Sequence, residues 1–197
     1  MGLLLGFLVA VSPLRAQDLP PASQILSERF LGKPDAPVTL IEYASKTCSY
    51  CASFHTDVLP ALKKEYVETG KVKIIYREFP LNQLDVVVSM IARCGPPRRF
   101  FPLVDLIYKT QAQWARARDP LAEVIKIGRL AGITPKTVEA CLRSTEIFQG
   151  IVDSGRRGQA EFNVSATPTI IVNGQPVNGQ VTMDVLRPIL DRAAAGN

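Results

Sequence analysis

Apolar and polar positions change period along the chain, and each change marks an element. The run Val38-Thr39-Leu40-Ile41-Glu42-Tyr43-Ala44 is β-branched and aromatic, is bounded by Pro34 and Pro37, and predicts a strand apolar enough to be central. From Ala52 to Thr69 the apolar residues Phe54, Val58, Leu59, Leu62, Tyr66 and Val67 recur at helical spacing and stop at Gly70. Pro60 is expected to kink that helix. Val72-Lys73-Ile74-Ile75-Tyr76-Arg77-Glu78-Phe79 is a second strand, ended by Pro80. Strand, helix, strand at this spacing predicts a βαβ unit with parallel neighbouring strands and a right-handed crossover.

The period then becomes helical. Helices are expected over Asp85 to Cys94, Arg99 to Trp114, Pro120 to Leu130, Pro135 to Leu142 and Glu146 to Phe162, with Thr134-Pro135 as a helix-start signal. The strand pattern returns in Thr169-Ile170-Ile171-Val172, turns at Asn173-Gly174 and continues through Gln175-Pro176-Val177-Asn178. A closing helix runs from about Met183 to Ala194. Before the first strand, Ile25 to Leu31 reads as either a helical turn or an edge strand, and Gly32 to Pro37 as a turn cluster.

Residues 1–16 are apolar, too short to span a bilayer, and resemble a signal-peptide core broken by Pro13, although no positive N-terminal region precedes it. Cleavage near Ala16 and export to the periplasm are expected. The rest, about 180 residues, suits one domain, or one domain with an insertion. Net charge is +5, or +4 once Arg15 is removed with the signal. The arginine pairs are scattered rather than gathered into a patch with aromatics, which argues against nucleic-acid binding. Four cysteines in an exported chain fit an oxidising compartment.

Cys48-Ser49-Tyr50-Cys51 lies at the strand-to-helix turn, with Cys48 at the helix N-terminus. Open backbone N–H groups and the helix dipole favour an anion there, so the Cys48 thiolate should be stabilised, from an ordinary pKa of ~8.5 into the range of roughly 3.5–7.5. A low-pKa thiolate is a good leaving group, and stabilising the reduced form makes a disulfide more oxidising. Cys51, one turn in, should be more buried and act as the resolving thiol. A structural disulfide or half of a zinc knuckle is the alternative, but neither requires a strand before it and a helix after it.

With these elements in order, the chain resembles the DsbA family of thiol:disulfide oxidoreductases over roughly Gly32 to Ala194. The matching pieces are Glu42-Tyr43-Ala44-Ser45 before the cysteines, Arg77-Glu78-Phe79-Pro80-Leu81, and Ala166-Thr167-Pro168-Thr169 with Asn173-Gly174 beyond. The resemblance implies an α/β thioredoxin fold with an inserted all-helical domain: fold segments 17–81 and 146–197 around an insertion at 82–145. It implies a cis Pro168 facing Cys48 and Cys51, with Thr167 tuning the thiols and offering backbone to an extended substrate. From the residues alone, Pro168 could equally be a trans proline opening an edge strand. The family often has Pro-His between its cysteines; Ser49-Tyr50 here keeps the helix dipole but loses the imidazole, and Lys46 is expected to restore some positive potential.

Glu42, in an otherwise apolar strand, is either a buried acid that moves the proton of Cys51, as the resemblance implies, or an acid paired with Lys63 or Lys64 or reaching solvent. His55 shares a helical face with Cys51 and is expected to pack or cap a core edge rather than tune the thiol. Cys94 and Cys141 close an early and a late inserted helix. A structural disulfide between them, which some DsbA-like proteins carry, would be worth roughly 4 kcal/mol; two free buried thiols or a second redox pair are the alternatives.

The expectation is a monomeric periplasmic dithiol oxidase without bound cofactor or metal. Its partners would be reduced or unfolded exported proteins and, by resemblance, a DsbB-like quinone-linked membrane oxidant. A reductase or isomerase on the same fold is the rival. The stretch between Ala16 and Val38, about twenty residues, is too short to build the dimerisation domain such isomerases usually carry. A copper or zinc chaperone using Cys48 and Cys51 would want a third soft ligand, for which His55 is the nearest candidate.

Overall fold

The computed structural model describes residues 19–196; the expected signal segment and its cleavage point lie outside them. Among the described residues no helix is long and apolar enough to cross a membrane. Five strands form one sheet in the order β1-β3-β2-β4-β5: β1 (Arg29–Leu31), β2 (Val38–Ala44), β3 (Val72–Glu78), β4 (Thr169–Val172) and β5 (Gln175–Pro176). Only β2 and β3 are parallel, paired from Val38↔Val72 to Ala44↔Glu78. The β4 strand runs antiparallel to β2, and β1 antiparallel to β3. The segment read as a turn or an edge strand holds both: a helical turn, α1 (Ala22–Ile25), and the edge strand β1.

Alternation along β2 sorts its side chains onto two faces. Leu40 packs with Phe54, Leu59, Leu62, Ile170, Leu186 and Leu190 beneath two helices. These are α2 (residues 49–67) and α9 (Met183–Ala194). Ile41 and Tyr43 face the other way, toward Val164, Ile171 and Phe162. Phe162 ends the long helix α8 (Thr145–Phe162). Gly158 lets that helix approach closely, since a Cβ there would lie 2.5 Å from the Tyr43 ring. Burying each such large apolar side chain stabilises by about 1.5–3 kcal/mol.

Between β3 and α8 come the helices of the insertion: α3 (Gln83–Cys94), α4 (Phe100–Lys109), α5 (Gln111–Trp114), α6 (Pro120–Leu130) and α7 (Pro135–Arg143). Their core of Val88, Ile91, Phe100, Val104, Ile107, Trp114 and Val124 is continuous with Ala44, Cys51 and Tyr76, so the insertion sits at the cysteine end of the sheet. The single helix expected over Arg99 to Trp114 is broken at Thr110, whose hydroxyl bonds back to the Leu106 carbonyl. The expected kink at Pro60 takes another form. In α2, α-helical Ser49–Ser53 and Leu59–Leu62 alternate with π-turns over Phe54–Val58 and Lys63–Val67. Pro60 has no N–H to give, and the wider turn just before it keeps the helix continuous. Cys94 and Cys141 are joined by a disulfide, Cα atoms 6.2 Å apart, packed with Ile25, Val86, Met90, Ile147 and Ile151.

Candidate active site

Like α1, α4 and α5, α2 begins without a side-chain cap, but at α2 the uncapped end carries a cysteine. The α3, α6, α7, α8 and α9 helices each begin with a side-chain oxygen (Asn82, Asp119, Thr134, Ser144 and Thr182) accepting from a first-turn N–H. Such a cap is typically worth ~1 kcal/mol. The α2 helix has none: its N-cap is Cys48, and the first N–H groups are left open to the sulfur. Cys48 is half-buried, Cys51 is fully buried, and both are free thiols.

The two sulfurs divide one proton unequally. The Cys48 thiol is lowered to about 5, chiefly because the Cys51 S–H donates to it. Partial burial opposes this, while the Thr167 side chain and the Cys51 and Tyr50 backbone N–H groups add to it. Burial pushes the Cys51 thiol far up, reinforced by its bond to Cys48 and by the charge of Glu42. When protonated, Cys48 Sγ donates to the Thr167 carbonyl at 3.2 Å. The Thr167–Pro168 peptide is cis and opens β4 against the cysteines. Ser49 and Tyr50 both face solvent, Tyr50 at 73% exposure. Beside them runs a groove of about 370 Å³ whose walls include Tyr50, Phe54, Val58, Pro168 and Val181.

Because the folded thiol lies below the ordinary ~8.5 of a free cysteine, the reduced state gains stability that is full above that value and is lost as pH falls through about 5. Ultraviolet titration of the thiolate should therefore give a midpoint near pH 5, and Cys51→Ala should raise it by removing the largest contributor. A midpoint at the ordinary ~8.5 would contradict this reading.

Lys46 corrects an expectation. It turns into the core, fully buried, with Nζ 2.6 Å from the Tyr76 hydroxyl and 4.3 Å from that ring's centroid. Burial lowers its pKa, and it is not among the groups that lower Cys48. The two-residue spacing to Cys48 does not bring the charges together, because the chain turns at Thr47 to enter α2.

Glu42 is buried on the α2 face of the sheet, but its partner is neither Lys63 nor Lys64. His55 Nε2 meets Glu42 Oε1 at 3.1 Å, and its Nδ1 meets Asp105 Oδ1 at 2.9 Å. Lys63 instead donates to Asp105 Oδ2 at 2.8 Å. His55 thus bridges two acids rather than capping a core edge. Burial pulls its pKa down, but the Glu42 charge and the bonds to Asp105 and Glu42 outweigh that and hold it above the ordinary imidazole value.

Other residues here escaped the sequence reading. Gln111 Nε2 donates to the carbonyls of Lys46 at 2.8 Å and Cys48 at 2.9 Å, so the insertion holds the cysteine turn directly. Asp85 accepts the Lys46 N–H, and Asn82 donates to Thr47 Oγ1. A polar residue more than thirty positions away carries no local signal for such contacts.

The family model described as Thioredoxin matches residues 25–192. A Rickettsia typhi protein whose name describes a protein-disulfide oxidoreductase is 30% identical over 85% of this chain and 62% of its own. The chain thus spans about three fifths of the length of the first curated relatives it matches. Among solved structures, alpha-DsbA1 of Wolbachia pipientis superposes with a TM-score of 0.80 at 24% identity, covering 86% of this chain and 92% of that one. A protein-disulfide isomerase of Novosphingobium aromaticivorans gives 0.73 at 27%, covering 84% and 97%.

Proposed function

This chain belongs to the thioredoxin family, and from that premise we propose that it is a DsbA-type thiol:disulfide oxidoreductase acting as a dithiol oxidase on exported proteins. The observation that carries this is the pairing of an accessible low-pKa Cys48 with a buried, high-pKa Cys51. A substrate thiolate attacks Cys48 of the oxidised pair; the Cys48–Cys51 bond breaks and Cys51 leaves. A second substrate thiol then attacks the substrate sulfur of the mixed disulfide and releases Cys48 as thiolate. One substrate dithiol becomes a disulfide, Cys51 ends as a thiol, and one proton is released.

Thr167 and Pro168 offer backbone at the mouth of the groove, where an extended peptide can add as a strand. Tyr50 and Ser49 form its exposed lip. The Cys94–Cys141 bridge pins α3 to α7 and takes a structural role. The protein works as a monomer in the periplasm, and re-oxidation falls to a DsbB-like quinone-linked membrane partner. For a metal-chaperone reading a third ligand is wanted, and among the described residues no group of three His, Cys, Asp or Glu is placed to hold an ion.

The reduction potential of the Cys48–Cys51 pair, measured in glutathione buffers with Cys94 and Cys141 both changed to Ser, tests the direction. An oxidase should come near about −120 mV; a value near about −270 mV would make it a reductase.

A further inference from the structure

Cys51 sits where water does not reach, yet each catalytic cycle leaves a thiolate there that must gain a proton. Its side chain is fully buried, and Glu42, whose charge acts on it, is itself 1% exposed. A buried thiolate beside a buried carboxylate is costly, so a path that delivers the proton speeds the cycle. Glu42 Oε1 contacts His55 Nε2, His55 Nδ1 contacts Asp105 Oδ1, and Asp105, at 37% side-chain exposure, reaches solvent beside Lys63. The imidazole is 1% exposed and both its nitrogens are used.

We infer that His55 is a proton relay connecting the buried Cys51 side of the site to solvent through Glu42 and Asp105. This rests on the thiol–disulfide exchange reading above. When substrate sulfur bonds to Cys48 and the Cys48–Cys51 bond breaks, its electron pair goes to Cys51 Sγ. Water delivers a proton to Nδ1 by way of Asp105, the ring releases its Nε2 proton to the Glu42 carboxylate, and Glu42 passes it on to that thiolate. Net, one solvent proton reaches Cys51, and re-oxidation runs the path backwards. Imidazole suits the middle position because it accepts on one nitrogen while donating from the other.

The surroundings hold the ring in register. Tyr108 stacks on it at 4.3 Å between centroids, and Tyr76 and Phe54 meet it edge-on. The titratable and charged groups around it are Glu42 from β2, Asp105 and Tyr108 from α4, Tyr76 from β3, Lys63 from the second π-turn, and Lys46 on the far side of Tyr76. The two tyrosines are hydrogen-bonded to each other and held protonated by burial, so they fix the cage without titrating in the working range. His55 does not touch the reacting sulfurs; it acts through Glu42 and is a positioning residue for the proton.

The test is single-turnover reduction of the Cys48–Cys51 disulfide by a synthetic peptide carrying two cysteine thiols, followed across pH. His55→Gln should slow it roughly 10²-fold near neutral pH and remove the inflection that imidazole titration gives the native profile above ~6.5. Asp105→Asn, at the solvent end, should slow it about tenfold. The equilibrium constant with glutathione should stay within about threefold of native in both, because a relay changes rates and not end states. Native rates and profile in both variants would overturn the relay. So would a loss of rate matched by an equal change in the equilibrium constant, which marks an electrostatic or structural role. Should His55→Gln not fold, Asp105→Asn and the native rate in heavy water still decide, since a relay requires both to be slower. Failure of the native chain to exchange with the peptide would sink the oxidoreductase reading itself.

Discussion

Serine in place of Cys48 is expected to abolish disulfide exchange, lowering the single-turnover rate ~10³-fold or more, as loss of a nucleophile does. Cys48 is the half-buried thiol, the one lowered to about 5, and the one facing Thr167. A hydroxyl cannot form the mixed disulfide, and no other thiol is in reach: Cys51 is buried and Cys94 is bonded to Cys141. Alanine at Cys51 should behave differently. Attack on a preformed Cys48 mixed disulfide then has no competing internal thiol, so substrate-linked species should accumulate and be visible by non-reducing electrophoresis. The two variants together separate attacking from resolving roles. Equal exchange rates in native protein and Cys48→Ser would overturn the assignment, and so would trapping by Cys48→Ser in place of Cys51→Ala.

The second large effect is on stability. Glu78→Gln should destabilise the fold by about 3–5 kcal/mol, read from denaturant unfolding. Arg93 lies 5% exposed and grips Glu78 with two hydrogen bonds, Nε to Oε1 at 2.8 Å and the second nitrogen to Oε2 at 2.7 Å. Its third nitrogen donates to the Ser27 carbonyl at 2.7 Å, so one guanidinium joins the end of β3, helix α3 and the segment before β1. Removing the carboxylate leaves a buried cation without its partner, which costs more than the pair itself contributes. Replacing both by apolar residues, Glu78→Leu with Arg93→Met, should recover much of the loss.

The acid limb follows from the same pair. Burial raises the Glu78 pKa, but the charges of Arg93 and Lys46 bring it below its ordinary 4.5. A depressed carboxyl stabilises the fold above its unfolded pKa, and that contribution is lost as pH falls through the folded value. The gap between native and Glu78→Gln should therefore be full at neutral pH and close below about pH 4.5. A gap constant across this window would mean the effect is steric.

Much of this was legible in the chain because the signals are local. Runs of β-branched and aromatic residues in β2 and β3, a period near 3.6 in the helices, and Asn173-Gly174 with positive φ at both turn positions each act within a few residues. Cys48 at a strand-to-helix turn, three residues before Cys51, made the direction of its pKa shift legible, although its largest cause is the Cys51 S–H rather than the backbone N–H groups. The break at Thr110 and the π-turns of α2 were not legible, since packing against Ile107, Trp114 and the sheet decides them.

The sequence by itself determined which residues become strand, helix and thiolate, since propensity, periodicity and backbone dipoles are set by near neighbours. Only the tertiary structure decided where the buried charges go. Lys46 turned inward to Tyr76, Glu42 took His55 rather than a lysine, and Asp105 and Gln111 arrived from the insertion. A buried charge must find a partner, and the partner it finds is whichever side chain the packing of distant elements brings within about 3 Å.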